Sequence, residues 1–142
     1  MGRNVRHLLL TILIALPCGG AFAQLALVTG ANSNISEISR AQAERLFLGR
    51  ATTLGDNSPV TLIDLPPGQI RDEFYLRLTG KNPVQTRANW SRQVFTGRAL
   101  PPRQADSAEQ VRAWLIEDPN AIGYLPASAV AADLRRLLKI DD

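Results

Sequence analysis

Apolar positions along this chain recur at two different periods, and the changes of period separate short strands from amphipathic helices. Leu25 to Thr29, rich in Leu and Val, reads as a buried strand, and Ala31-Asn32-Ser33-Asn34 as the turn after it. Ser39 and Gln42 have the spacing of a capping box, so a helix starts there; Ala43, Leu46 and Phe47 share its inner face. Gly49 stands where a left-handed residue ends it. Gly55-Asp56-Asn57-Ser58-Pro59 is a dense turn signal, and Val60 to Leu65 a second buried strand, broken by Pro66-Pro67-Gly68. From Gln69, the residues Ile70, Phe74 and Leu78 recur every fourth position with Tyr75 beside them. Glu73 and Arg77 form an i,i+4 pair, and Gly80 is the stop.

Asn82 before Pro83 looks like a helix cap with proline at the first helical position, opening a helix through about Phe95. Gly97 to Arg103, with Pro101-Pro102, is a loop. Ser107 and Gln110 repeat the capping box, Val111, Trp114 and Leu115 give the inner face, and Asp118-Pro119-Asn120 ends that helix. Ala121 to Leu125 is a third strand, Pro126 to Val130 a helical turn, and Leu134 to Ile140 a fourth strand whose charges suit a sheet edge. Strands alternating with helices predict an α/β fold: a mostly parallel or mixed sheet of about four to five strands flanked by helices. Ligands in such folds sit where strand C-terminal ends meet helix N-termini. Here those places are Ala31 to Ser36, Pro66 to Arg71 and Pro126 to Ser128.

The N-terminal stretch changes the picture. Arg3, Arg6 and His7 precede an apolar run from Leu8 to Leu16, then Pro17 and Ala21-Phe22-Ala23. That is the layout of a secretory signal peptide cut after Ala23, and the run is shorter than the roughly 20 residues that span a bilayer. The expected division is a signal peptide, 1–23, and one periplasmic domain, 24–142, with no internal repeat or linker. Cys18 raises the alternative of a lipid anchor, although Pro17 is not the small residue that usually precedes a lipidated Cys. Cleavage after Ala23 would also remove the one His and the one Cys of the chain. The remaining domain could then form no disulfide, no imidazole-dependent nucleophile and no ordinary zinc site. A non-enzyme without cofactor or metal is therefore expected.

Net charge falls with the leader. Without Arg3 and Arg6 the 16 basic residues become 14, against 13 acidic ones, so the whole-chain +3 becomes +1. The arginines are scattered among acids rather than drawn into a stripe, which argues against nucleic acid as a partner.

Three segments carry a family resemblance: Leu46-Phe47-Leu48-Gly49-Arg50, Asp56 to Asp64, and Pro119-Asn120-Ala121-Ile122-Gly123-Tyr124. In this order they resemble the phosphate-type substrate-binding proteins of ABC transporters, a type II periplasmic-binding-protein-like group. Phe47 and Gly49 match that family's first motif, Gly55 to Pro59 approximates the second, and Phe74 follows the glycine loop at the family's spacing. The resemblance covers about Leu25 to Ile140; the family's binding proteins have two lobes that close on ligand, and the 119 residues from 24 to 142 have room for only one, a short single-lobe form. In the phosphate binders, amides and hydroxyls of an Arg-x-x-Gly-Ser-Gly-Thr loop hold the anion at a helix N-terminus. In this chain Gly68 is kept, Gln69, Ile70 and Arg71 take the Ser, Gly and Thr positions, and Leu65 falls where the clamping Arg would be.

The candidate ligand residues are therefore Gly68, Gln69, Ile70 and Arg71, with Asn32 and Ser33 added from the first strand's end. Free amides and a helix dipole favour an anion at such a start, with Arg71 to share it; alternatively Arg71 pairs with Asp72 or a nearby carboxylate at the surface. Trp90, Phe95 and Trp114 read as core or groove-lining rings, and Tyr124 as a half-buried strand residue. The resemblance implies a small phosphate-like anion as ligand and an inner-membrane ABC permease or sensor as partner. The membrane would then be reached only through that partner. A second copy of the chain could cover the open half-cleft. The competing expectation is a non-catalytic interaction module that docks on the membrane protein without binding a small molecule.

Overall fold

The computed structural model describes residues 23–141; the expected leader up to Phe22, with Cys18, lies outside the described residues. Strand β1 (Leu25–Gly30) leads to helix α1 (Arg40–Phe47), a two-residue hairpin of β2 (Thr53–Leu54) and β3 (Ser58–Pro59), and β4 (Thr61–Asp64). Helices α2 (Gln69–Thr79) and α3 (Pro83–Phe95) follow, then β5 (Arg103–Gln104), α4 (Ala108–Glu117), β6 (Ala121–Pro126), a 3-10 turn at Ala127–Ala129, and β7 (Leu134–Ile140).

Local chemistry sets the helix ends. The Ser39 hydroxyl accepts from the Gln42 amide at 3.1 Å while the Gln42 side chain accepts from the Ser39 amide at 2.9 Å. The Asn82–Gln85 pair makes the same reciprocal box for α3 at 2.8 and 3.0 Å. On α4 the expected box is half made: Ser107 accepts from the Gln110 amide, but the Gln110 side chain takes the amide of Asp106 instead. Helix α1 closes through Gly49 and α2 through Gly80, both left-handed at φ +69° and +72°, a conformation that strains any residue with a Cβ.

Five strands form the main sheet in the order β5-β4-β6-β1-β7. β4 runs parallel to both β5 and β6, whereas β1 is antiparallel to both β6 and β7, so the sheet is mixed. Helices cover both faces. On β6, Gly123 faces Val111 and Leu115 of α4. The next residue, Tyr124, points to the opposite face and stacks on Phe74 of α2 at 3.6 Å between ring centroids. Strands covered on both sides have no solvent face, which is why β1 is buried along its whole length and β6 up to Leu125.

Strand β7 does lie at the edge, as its charges suggested. Its buried residues, however, are Leu134, Leu137 and Ile140, a spacing of three. The pairing with β1 slips between Leu27 and Val28, opposite Leu138 and Arg136, which leaves Leu137 as an extra residue. This bulge turns a second leucine inward where strict alternation would have put it outside.

Candidate functional site

Asp64 is the last residue of β4 and is only 2% exposed. A carboxylate in that position must be satisfied by its neighbours, and three side chains do so. Tyr75 of α2 donates its hydroxyl to one carboxylate oxygen at 2.9 Å, Tyr124 of β6 donates to the other, and the Arg71 Nε lies 3.2 Å from the first. The Tyr124 hydroxyl also accepts from the Leu65 amide at 3.3 Å. Parallel pairing of β4 with β6 places Tyr124 beside Asp64, and Arg71 and Tyr75 reach it from one face of α2, a turn apart. Phe47 and Phe74 pack edge-on to one another behind the tyrosines.

Burial raises the Asp64 pKa, and the Tyr124 bond, the Arg71 charge and the Tyr75 bond pull it back in part. Both phenols are pushed up, by burial first and by the Asp64 charge next, so they remain protonated donors at any ordinary pH.

Asp64, Arg71 and Tyr75 of this cluster line a cavity of about 640 Å³. One wall is α2, with Arg71, Asp72 and Tyr75; the facing wall is α3, with Thr86, Arg87, Trp90 and Val94. Phe95, Pro101 and Pro102 border it. Helix α3 is held in place by its other contacts: the Asn89 side-chain amide donates to the Leu48 carbonyl at 3.0 Å, and the Trp90 ring lies where a Cβ on Gly49 would collide.

The structure thus separates the candidate residues. Arg71 does face the strand-end crevice, and its carboxylate partner is Asp64 rather than a surface acid. Gly68, Gln69 and Ile70 are exposed at the open start of α2, where Gly68 supplies no side-chain cap to the first amides. Asn32 and Ser33 do not join them. Because β1 runs antiparallel to β6, with Leu25 opposite Pro126, the end of β1 meets the beginning of β6 at the opposite end of the sheet from Asp64. There the Ser33 hydroxyl donates to the Pro119 carbonyl at 2.6 Å and accepts from the Ile35 amide. Arg135 holds the same loop by the carbonyls of Ala31, Ser33 and Ile35. The six residues therefore do not form one site.

Sequence reasoning missed Asp64 and gave Tyr124 a lesser place. Tyr124 is fully buried, not half-buried, and Phe95, read as a core or groove ring, stands 92% exposed at the cavity rim. Trp90 does line the cavity, while Trp114 is half-buried beneath the Arg103 guanidinium, 3.5 Å from its ring. The available signal for Asp64 was a single acid closing an otherwise apolar strand.

Among the described residues no group of three His, Cys, Asp or Glu side chains is placed to hold a metal ion, and no helix is long and apolar enough to cross a membrane. No protein-family model and no curated protein matches the sequence. Solved structures do match the fold. A protein from Clostridium perfringens described as a phosphate ABC transporter substrate-binding protein, solved with phosphate bound, superposes with a TM-score of 0.63 at 18% identity, over 81% of this chain and 44% of its own. An ABC-type phosphate transport receptor from Vibrio cholerae gives 0.53 at 12% identity, over 81% and 45%. A candidate phosphate-binding protein from Planctomyces limnophilus gives 0.57 at 9% identity, over 81% and 40%. The chain has the fold of these substrate-binding proteins and spans less than half the length of each.

Proposed function

We propose that this chain is an exported, non-catalytic binding module of the phosphate-transport type, with a signal peptide at 1–23 and one domain at 24–142. It holds a small anion weakly at the start of α2 and presents it to a membrane permease or sensor. The observation that carries the reading is Arg71: it stands in the first turn of a helix whose leading amides have no side-chain cap, and it faces the cavity at the end of β4. Free amides, the helix dipole and a guanidinium all favour negative charge at that place. The fold shared with three phosphate-type binding proteins supports the same ligand class.

The site residues in this reading are Gly68, Gln69, Ile70 and Arg71, without Asn32 and Ser33. Binding is weak for a physical reason. Arg71 already neutralises Asp64 at 3.2 Å, so an incoming anion shares its cation with a buried carboxylate. A single lobe also gives half a cleft, which a second copy or the membrane partner would cover.

Thermal unfolding of the purified chain with phosphate, sulfate, phosphonates and small organic acids tests this. A ligand at about 100 times its dissociation constant adds roughly 2.7 kcal/mol, several degrees for a domain of this size. A shift with phosphate that disappears in Arg71→Ala is the expected result. A flat panel would sink the anion reading and leave docking without a small ligand.

A further inference from the structure

Helix α3 carries its inward stripe at positions 83, 86–87, 90–91 and 94–95, the spacing of a face that normally packs on a core. In this protein the stripe lines the cavity. Two polar atoms on it are buried and have no hydrogen-bond partner among the described residues: Thr86 Oγ1, on a residue 6% exposed, and Trp90 Nε1, on a residue 8% exposed. The Trp90 indole lies close enough to the Tyr75 hydroxyl to lower that group's pKa slightly, without a well-aligned bond. Buried polar groups left open in this way cost stability unless something completes them. An N–H and a hydroxyl ask for an acceptor oxygen. The lining around them is largely apolar or aromatic, with Val94, Phe95, Pro101 and Pro102, and Tyr75 opposite, while Ser91 and Gln104 are its neutral polar members.

Charge at the mouth narrows the class. Arg71 is paired with Asp64. Arg87 and Asp72, the remaining charged lining residues, have no partner among the described residues. One open cation accepts one negative charge; a second would face Asp72 and Asp64 with no cation of its own. A cavity of about 640 Å³ also falls in the size range of organic-ligand pockets, and an inorganic oxyanion would fill a small part of it.

We propose that the cavity between α2 and α3 binds an organic monocarboxylate with an apolar body, its carboxylate held by Arg87, Thr86 and the Trp90 indole N–H. This rests on the reading of the chain as a binding module for small anions and names the organic class that its cavity takes.

Calorimetric titration of the purified chain with phenylacetate, its neutral analogue 2-phenylethanol and inorganic phosphate tests it. Phenylacetate is expected to bind saturably and the alcohol at least about tenfold more weakly, as the loss of a charged hydrogen bond implies. Arg87→Ala, on the exposed helix surface, and Thr86→Val should each weaken phenylacetate without changing the phosphate response, which belongs to Arg71. No saturable phenylacetate binding, or equal affinity in wild type and both variants, overturns the cavity site. Phosphate binding without phenylacetate binding leaves the α2 anion reading intact and removes this one. Phenylacetate binding sensitive to Arg87→Ala without phosphate binding does the reverse.

Discussion

At the scale of single residues the telling position is Asp64, because a nearly fully buried carboxylate has to be answered by its neighbours. Two phenols and a guanidinium answer it, yet burial still raises its pKa above the usual 3.8. The raised value sets the sign of a pH effect. A group that holds its proton more tightly when folded contributes stability that is complete below the unfolded pKa and is lost as pH rises through the folded one. Relative to Asp64→Asn, the wild type should therefore gain unfolding free energy as pH falls from 7 towards about 4. Urea unfolding of both proteins at several pH values measures the difference. Asp56 and Asp133, whose pKa values are lowered by the Ser58 hydroxyl and by Arg112, act in the opposite direction but are common to both proteins. A difference independent of pH would show that Asp64 titrates as an ordinary carboxylate.

Among the elements, the tightest joint is that between β1 and α4. A Cβ built on Gly30, the last residue of β1, collides with the backbone carbonyl of Leu115 in α4, and neither backbone can move without disturbing the sheet or the helix. Gly30→Ala is therefore expected to cost about 1–3 kcal/mol, the usual price of overpacking, read as a lower denaturation midpoint. An unchanged midpoint would mean that α4 can slide on the sheet. The helices were legible in sequence where caps and stops are local: α3 begins and ends as Asn82-Pro83 and Phe95 predicted, and α1 begins at the Ser39 box. The loop reading of Gly97 to Arg103 runs into β5, because Arg103 and Gln104 are exposed and have no strand pattern; pairing with β4 alone makes them a strand.

For the whole molecule the sheet order leaves β7 at one edge, with Arg136 and Lys139 exposed along it. Charges on an edge strand oppose pairing with another chain's edge. Replacing both with valine should raise the particle mass seen by light scattering after size exclusion, with the monomer fold retained by circular dichroism. A mass equal to that of the wild type would assign the protection to the bulge at Leu137 instead. The α/β class, the edge position of β7 and the start of α2 at Gln69 all came from sequence pattern. Asn32 and Ser33 lie at the opposite end of the sheet from Arg71, and strand direction, which decides this, is not written in β1.

The sequence by itself determined what depends on neighbours along the chain. Capping boxes, left-handed glycines, proline breaks and apolar periods act within a few residues, so they fix where helices and strands lie. Tertiary structure decided what depends on pairing between distant segments. Antiparallel insertion of β1 sent one candidate loop to the far end of the sheet, and a bulge chose which leucines of β7 are buried. Parallel pairing of β4 with β6 brought Tyr124 to Asp64 across 60 positions of sequence. No local signal encodes such a meeting, because its free energy comes from burial and hydrogen bonds that exist only once the sheet has formed.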